Sequence, residues 1–208
     1  VTAGGAHVRA AVVGATGYAG SELVRLLAGH PLVELASVHA RDRAGTPLGS
    51  ELPHLGPLGL TLADGLPDPE SVDVVFLALP SGASADAAQA LVGAGVTVID
   101  IGADFRLRDD ATHRAWYPDA HRPGDLAASA VYGLTERARD RLPGARLVAN
   151  PGCYPTAALL AMAPFAAAGL LADDAVIDAK SGASGAGRQA SRAYGFSELD
   201  ASVSAYGV

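Results

Sequence analysis

The chain holds one cysteine, Cys153, in the string Asn150-Pro151-Gly152-Cys153-Tyr154-Pro155-Thr156. That string lies between a strand-like apolar run and an alanine-rich helical stretch. A thiol at the start of a helix meets the positive end of the helix dipole and free N–H groups, which favour the nucleophilic thiolate. Gly152 beside it leaves the sulfur sterically open. Position alone leaves two readings for a lone cysteine, a covalent nucleophile or a small buried hydrophobe. Metal binding has no support, because one cysteine and the scattered His7, His30, His39, His54, His113 and His121 offer no ligand spacing.

The run Gly14-Ala15-Thr16-Gly17-Tyr18-Ala19-Gly20 follows an apolar run and opens a helical one. Glycines there permit a tight turn and close backbone approach, and a helix N-terminus offers unpaired N–H groups to a pyrophosphate. The spacing is G-x-x-G-x-x-G rather than G-x-G-x-x-G, and a ligand-free βα turn is the plain alternative. The strand before it and the helix after it favour a dinucleotide. An acid at the end of the second strand would hold the ribose 2′-hydroxyl of NAD, whereas arginine suits the 2′-phosphate of NADP. Glu34 lies about 20 residues past the first glycine, as an NAD-type acid would, but at the start of its strand. Arg41 and Arg43 follow the carboxyl end, where ligands of parallel sheets lie. NADP(H) is the expected cofactor.

Two polar clusters complete the inventory. In Asp100-Ile101-Gly102-Ala103-Asp104-Phe105-Arg106-Leu107, Arg106 could clamp a carboxylate or phosphate with paired hydrogen bonds. It could equally be a surface arginine paired with Asp104. The glycine-serine segment from Lys180 to Arg188 follows a strand-like run and could wrap a phosphate through backbone amides, or be a mobile loop.

The elements that must carry these groups read as alternating strands and helices. Strands are expected at Arg9–Val13, Val33–Val38, Val72–Leu79, Val96–Ile101, Arg146–Ala149 and Ala175–Ala179, and helices at Tyr18–Ala28, Ala83–Ala94 and Thr156–Ala168. Glycine and proline make 41–60 a long loop with one turn of helix. Strands apolar on both faces, separated by helices, imply an α/β fold with a parallel sheet covered on both sides.

Composition removes other classes. The chain of 208 residues is 50% hydrophobic and 18% charged, with 25 glycines and much alanine. A membrane span needs about 18–20 consecutive apolar residues, and the longest candidate, Ala157 to Ala172, is interrupted by Pro164 and Gly169. The net charge of −7 disfavours a phosphate backbone as partner, and Arg137, Arg139 and Arg141 alternate with acids as a solvated helix face does. A single cysteine excludes a disulfide framework, and no signal-peptide pattern opens the chain, so a cytoplasmic protein without nucleic-acid or membrane partners is expected.

In this order the motifs resemble the N-acetyl-γ-glutamyl-phosphate reductase family. The carriers are Gly14 to Gly20, Leu79-Pro80-Ser81-Gly82-Ala83-Ser84, Gly102 to Leu107, Tyr132-Gly133-Leu134-Thr135-Glu136, Asn150 to Thr156 and Ser181 to Arg188. The family commonly has histidine where Ser81 stands and proline where Thr135 stands. The resemblance implies a Rossmann-like NADP-binding domain over residues 1–149 and the first part of an α+β catalytic and dimerisation domain over 150–208. It implies NADPH-dependent reduction of an acyl phosphate in arginine biosynthesis, through a thioester on Cys153. Arg106 would hold the substrate phosphate. Gly14, Ala15, Thr16, Gly17, Tyr18, Ala19, Gly20, Arg41, Arg43, Ser81, Ser184 and Gly185 would contact the cofactor. Full-length members are expected to associate as homo-oligomers through the second domain.

The family's general acid/base histidine lies in a His-Arg-His segment just beyond the position of Tyr206-Gly207-Val208, and none of the six histidines present matches it by motif. Residues 1–208 alone are therefore expected to turn over poorly. Two alternatives stand beside this reading: a related reductase for an aminoadipyl or aspartyl phosphate, and a non-catalytic NADP-binding fragment.

Overall fold

The computed structural model of the protein describes residues 7–118, 120, 122–188, 195–200 and 202–205. His121 and Tyr206-Gly207-Val208 lie outside the described residues. Along the chain run β1 (Val8–Val13), α1 (Tyr18–Ala28), β2 (Val33–His39), α2 (Leu48–Glu51), β3 (Leu62–Ala63), β4 (Val74–Leu77), α3 (Ala85–Gly93) and β5 (Thr97–Asp100). These are followed by α4 (Asp110–Trp116), α5 (Gly124–Ser129), β6 (Val131–Tyr132), α6 (Thr135–Ala138), β7 (Leu147–Ala149), α7 (Cys153–Ala167) and α8 (Phe196–Leu199). The seven strands form one sheet in the order β3-β2-β1-β4-β5-β7-β6, and every pairing is parallel.

The sheet is covered on both faces, as apolar strands require. Successive side chains of a strand point to opposite faces, and β1 shows the consequence. Ala10 and Val12 enter a cluster with Val24 and Leu27 of α1 and Leu48 of α2. Ala11 and Val13 enter a second cluster with Ala85, Ala88 and Leu91 of α3, Phe105, and Ala127 of α5. Each large apolar side chain fully buried in this way contributes roughly 1.5–3 kcal/mol. The Rossmann-like expectation holds.

Several local expectations need correction. Ala175–Ala179 is not a strand: no partner strand hydrogen-bonds to it among the described residues, and Val176 and Ile177 are 98% and 59% exposed. Apolar β-branched residues favour an extended chain, but a strand exists only where a neighbour accepts its hydrogen bonds. The helix expected from Thr156 begins at Cys153, because the proline at 155 is tolerated in a first turn, where no intrahelical N–H bond is lost. The segment 41–60 holds 3-10 turns at Arg41–Arg43 and Pro53–Leu58 as well as α2. The short β3, α4, α5 and β6 were not expected at all.

Candidate active site

Reversal of strand order beside β1 places a crevice at the carboxyl ends of β1 and β4, where open α/β sheets bind ligands. The turn after β1 is built for that place. Gly14 has φ +87°, and a Cβ there would lie 2.3 Å from the Ala78 carbonyl oxygen; a Cβ on Gly20 would lie 2.0 Å from the Gly14 oxygen. The first glycine thus lets the turn pass against the segment after β4, and the last lets α1 pack onto the turn. Amides of Gly14 and Ala15 both donate to the His39 carbonyl, at 2.9 and 3.0 Å, which ties the turn to the end of β2. The cap of α1, Gly17, makes no side-chain hydrogen bond, and the first turn has no acid. That end of the helix presents its positive dipole end and backbone donors, a fit for an anionic pyrophosphate.

Beyond β2, Arg41 and Arg43 are exposed in the 3-10 turn two residues from His39. Arg43 Nε lies 3.6 Å from Glu51, while Arg41 forms no ion pair among the described residues. Glu34 pairs in register with Arg9 at the opposite, amino end of the sheet. Its geometry therefore removes it from the crevice.

The loops after β4, β5 and β7 converge through buried polar groups. Asp104, fully buried, accepts hydrogen bonds from the amides of Gly82 (2.6 Å) and Ser84 (3.0 Å) and from the Ser81 hydroxyl (3.4 Å). It therefore shapes the Pro80–Ser84 turn and satisfies the start of α3. Asp100 is also fully buried, with Oδ1 accepting from the Gly102 amide at 2.9 Å. Burial pushes its carboxyl above the usual range, against the opposing pull of Ser84 and Gly102. Arg122, a residue that sequence reasoning did not single out, staples the outer part of the same loop. It donates to the carbonyls of Asp104, Leu107 and Arg108 and to the Asp110 carboxylate.

Arg106 is not paired with Asp104. It is half-buried, and its Nε and Nη2 donate to the carbonyls of Asn150 (2.8 Å) and Ile101 (2.7 Å). Those bonds lay the guanidinium over Gly152, where a Cβ would meet Nη1 at 3.0 Å. A side chain at 152 would press on the guanidinium, so the glycine leaves room for a cation next to the residue before the cysteine. Cys153 is the first residue of α7 and is exposed among the described residues. A cleft of about 480 Å³ opens beside it, lined by the first two turns of α7 and by Ile177 to Gly182. The Ser181–Arg188 segment continues from that cleft as a tight 3-10 turn over Ala183–Ala186, with Ser184 and Gly185 exposed at its centre. At its far end Arg188 sits over the ring of Tyr18.

The structure thus brings Arg106 over Gly152, the residue before Cys153, and the loop of Ser184 and Gly185 from the thiol cleft toward α1. Asp104 appeared in the sequence only as a partner for Arg106; its capping role has no local signal, because it acts on a turn about twenty residues earlier. No group of three or more histidine, cysteine, aspartate or glutamate side chains could hold a metal among the described residues. No described helix is long and apolar enough to cross a membrane.

A parallel sheet with a glycine turn at its switch point has the architecture of a dinucleotide-binding α/β protein. The chain belongs to the semialdehyde dehydrogenase family: residues 9–145 match its NAD binding domain and residues 153–208 its dimerisation domain. Among curated proteins it is 49% identical over 205 residues to the N-acetyl-gamma-glutamyl-phosphate reductase of Heliobacterium modesticaldum, covering 97% of this chain and 58% of that one. It is 46% identical over 206 residues to the protein of the same name from Brevibacillus brevis, covering 97% and 59%. The chain therefore spans a little under three fifths of the length of these relatives. Among solved structures, aspartate semialdehyde dehydrogenase II of Vibrio cholerae superposes with a TM-score of 0.55 at 21% identity, over 78% of this chain and 47% of that one. The aspartate semialdehyde dehydrogenase of Candida albicans, solved with NADP, gives 0.54 at 17% identity over 80% and 48%. Both share the fold.

Proposed function

We propose that the full-length protein is a cytoplasmic, NADPH-dependent reductase of N-acetyl-glutamyl 5-phosphate in arginine biosynthesis, releasing phosphate and the 5-semialdehyde. The observation that carries this reading is the guanidinium of Arg106, held by two carbonyls over Gly152 beside the exposed thiol of Cys153. A fixed cation next to a nucleophile suits a substrate that carries its leaving group as an anion.

In this reading the Cys153 thiolate attacks the γ-carbonyl of the acyl phosphate, the C–O bond to phosphate breaks, and phosphate leaves beside Arg106. The resulting thioester is a far better hydride acceptor than a carboxylate. NADPH, when bound, supplies the hydride. The tetrahedral thiohemiacetal on Cys153 takes up a proton at oxygen and collapses to aldehyde and the Cys153 thiolate as that proton is returned. The histidine that would move this proton belongs, by the family resemblance, to the part of the relatives' length that the chain does not span.

The glycine turn and the bare start of α1 would hold the pyrophosphate through Gly14 to Gly20, and Arg41 would face the 2′-phosphate, with Arg43 second because Glu51 engages it. Ser81, Ser184 and Gly185 would line the nicotinamide side. The chain would divide at residue 149, a reading supported by the separate matches at 9–145 and 153–208, with Arg106 reaching the substrate from the first part and Ser184 and Gly185 reaching the cofactor from the second. The dimerisation-domain match supports a homo-oligomer.

The test is turnover of the full-length protein with NADPH and three acyl phosphates: N-acetyl-glutamyl, N-acetyl-aminoadipyl and aspartyl. Preference for the first supports the proposal. Preference for another would overturn the substrate assignment, and NADPH binding without any turnover would favour a purely binding role.

A further inference from the structure

We propose that Arg188 is a positioning residue that latches the Ser181–Arg188 loop onto the first turn of α1, holding the loop against the dinucleotide site. The role of that site rests on the cofactor reading above; the latch itself does not. Arg188 Cζ lies 5.3 Å from the centroid of the Tyr18 ring. Tyr18 is the first residue of α1 and is 46% exposed, so the ring offers a free face.

The contact is informative because neither the helix dipole nor an ion pair would place a cation there. The N-terminus of a helix is the positive end of its dipole and repels a guanidinium. No acid stands in the first turn of α1, and Arg188 forms no ion pair among the described residues. What attracts it is the negative face of the ring. The aromatic residue inside the glycine turn therefore has a task of its own, separate from the glycines around it.

A contact at Arg188 controls the loop because the loop is internally tight. The Gly185 amide donates to the Gly182 carbonyl at 3.0 Å and the Gly187 amide to the Ser184 carbonyl at 3.1 Å. A Cβ on Gly185 would lie 2.5 Å from Ser181 Oγ, so the turn closes on itself. One end of this small unit lines the Cys153 cleft and the other touches α1. Fixing Arg188 fixes Ser184 and Gly185 between the thiol and the glycine turn.

Hydrogen exchange of the Gly185 and Gly187 amides in the full-length protein without cofactor tests the latch. Tyr18→Leu and Arg188→Ala should each speed exchange about two- to fivefold, the loss expected for one exposed cation–π contact. The double variant should be no faster than either single one, and Tyr18→Phe, which keeps the ring, should exchange as the unsubstituted protein does. NADPH titration should show both single variants weakened, Tyr18→Leu at least as much as Arg188→Ala, because Tyr18 also lies in the turn that would hold the cofactor. Unchanged exchange in Tyr18→Leu, or additive effects in the double variant, would overturn the latch. Weakened NADPH binding in Arg188→Ala alone would do so as well, and would make Arg188 a direct phosphate contact. If the unsubstituted protein binds no NADPH, the cofactor reading fails while the exchange measurement still decides the latch.

Discussion

The sheet domain through β7 and the segment from Cys153 onward use apolar residues in opposite ways. The first buries them in two clusters, one on each face of the sheet. The second buries none of its described residues, although α7 reads Cys-Tyr-Pro-Thr-Ala-Ala-Leu-Leu-Ala-Met-Ala-Pro-Phe-Ala-Ala, apolar all round. A helix of that kind is stable only when covered. Leu159 and Phe165 of that helix are exposed, as are Leu170, Val176 and Phe196. On the proposed function the contrast separates two tasks: a scaffold that shapes the cofactor crevice, and a segment that carries the nucleophile on a helix uncovered among the described residues.

Breaking the division of labour should give the largest effect. In the full-length protein, Cys153→Ser should lower acyl-phosphate reduction by at least about 10³-fold, as loss of a covalent nucleophile does, while NADPH affinity measured by titration stays within about twofold. Loss of binding in parallel with turnover would merge the two tasks. Packing comes next. Phe105, 1% exposed, should cost about 3–5 kcal/mol on truncation to alanine in denaturant unfolding. Phe165→Ala, at a residue 56% exposed, should cost less than about 0.5 kcal/mol when measured on residues 1–208 alone. Equal costs would mean that α7 is covered in solution.

Glycines give a third contrast. Gly14→Ala combines a left-handed φ with a 2.3 Å approach to the Ala78 oxygen, so a loss above about 3 kcal/mol is expected. Gly169, also left-handed at φ +67° but with open space around it, should lose only about 1–2 kcal/mol as alanine. Arg41→Ala should erase a NADPH-over-NADH preference of about tenfold, or about 1.4 kcal/mol, and leave Cys153 alkylation unchanged. Equal cofactor affinities in the unsubstituted protein would remove Arg41 from the 2′-phosphate.

The smallest effect concerns pH. Burial holds the His39 imidazole below its ordinary value, with the Asp64 carbonyl opposing, and Ser37 Oγ lies 2.9 Å from its Nε2. A group whose folded form resists protonation contributes stability that is lost as pH falls from about 6.5 toward the lower folded value. Urea midpoints should drop between pH 7.5 and 5.5, and His39→Gln should flatten that drop. An unchanged slope would assign the acid sensitivity elsewhere.

Elements that make their own hydrogen bonds or repeat a strong pattern were legible from the chain. The strands β1, β2, β4, β5 and β7, helices α1 and α3, and the glycine turn all lie within a few residues of where periodicity and punctuation put them. The strand at Ala175–Ala179 was misread because its residue types favour extension but say nothing of a partner. The two-residue β3 and β6 were missed because pairing defines them and no local pattern does.

At the site the same boundary applies. A lone cysteine after glycine, ahead of a helix, and arginines beyond the second strand are properties of order, and the chain carries them. The sequence also determined that one turn could accept a dinucleotide, since only glycine tolerates the backbone found at residue 14. Tertiary structure alone decided that Arg106 turns away from its neighbour Asp104 to lie over Gly152, forty-odd residues on, and that Asp104 instead caps the turn before α3. It also decided that Glu34 sits at the wrong end of the sheet and that Arg188 meets Tyr18. The physical reason is that hydrogen bonds and ring contacts depend on distance in space, which parallel β5–β7 pairing creates between segments that the linear chain keeps far apart.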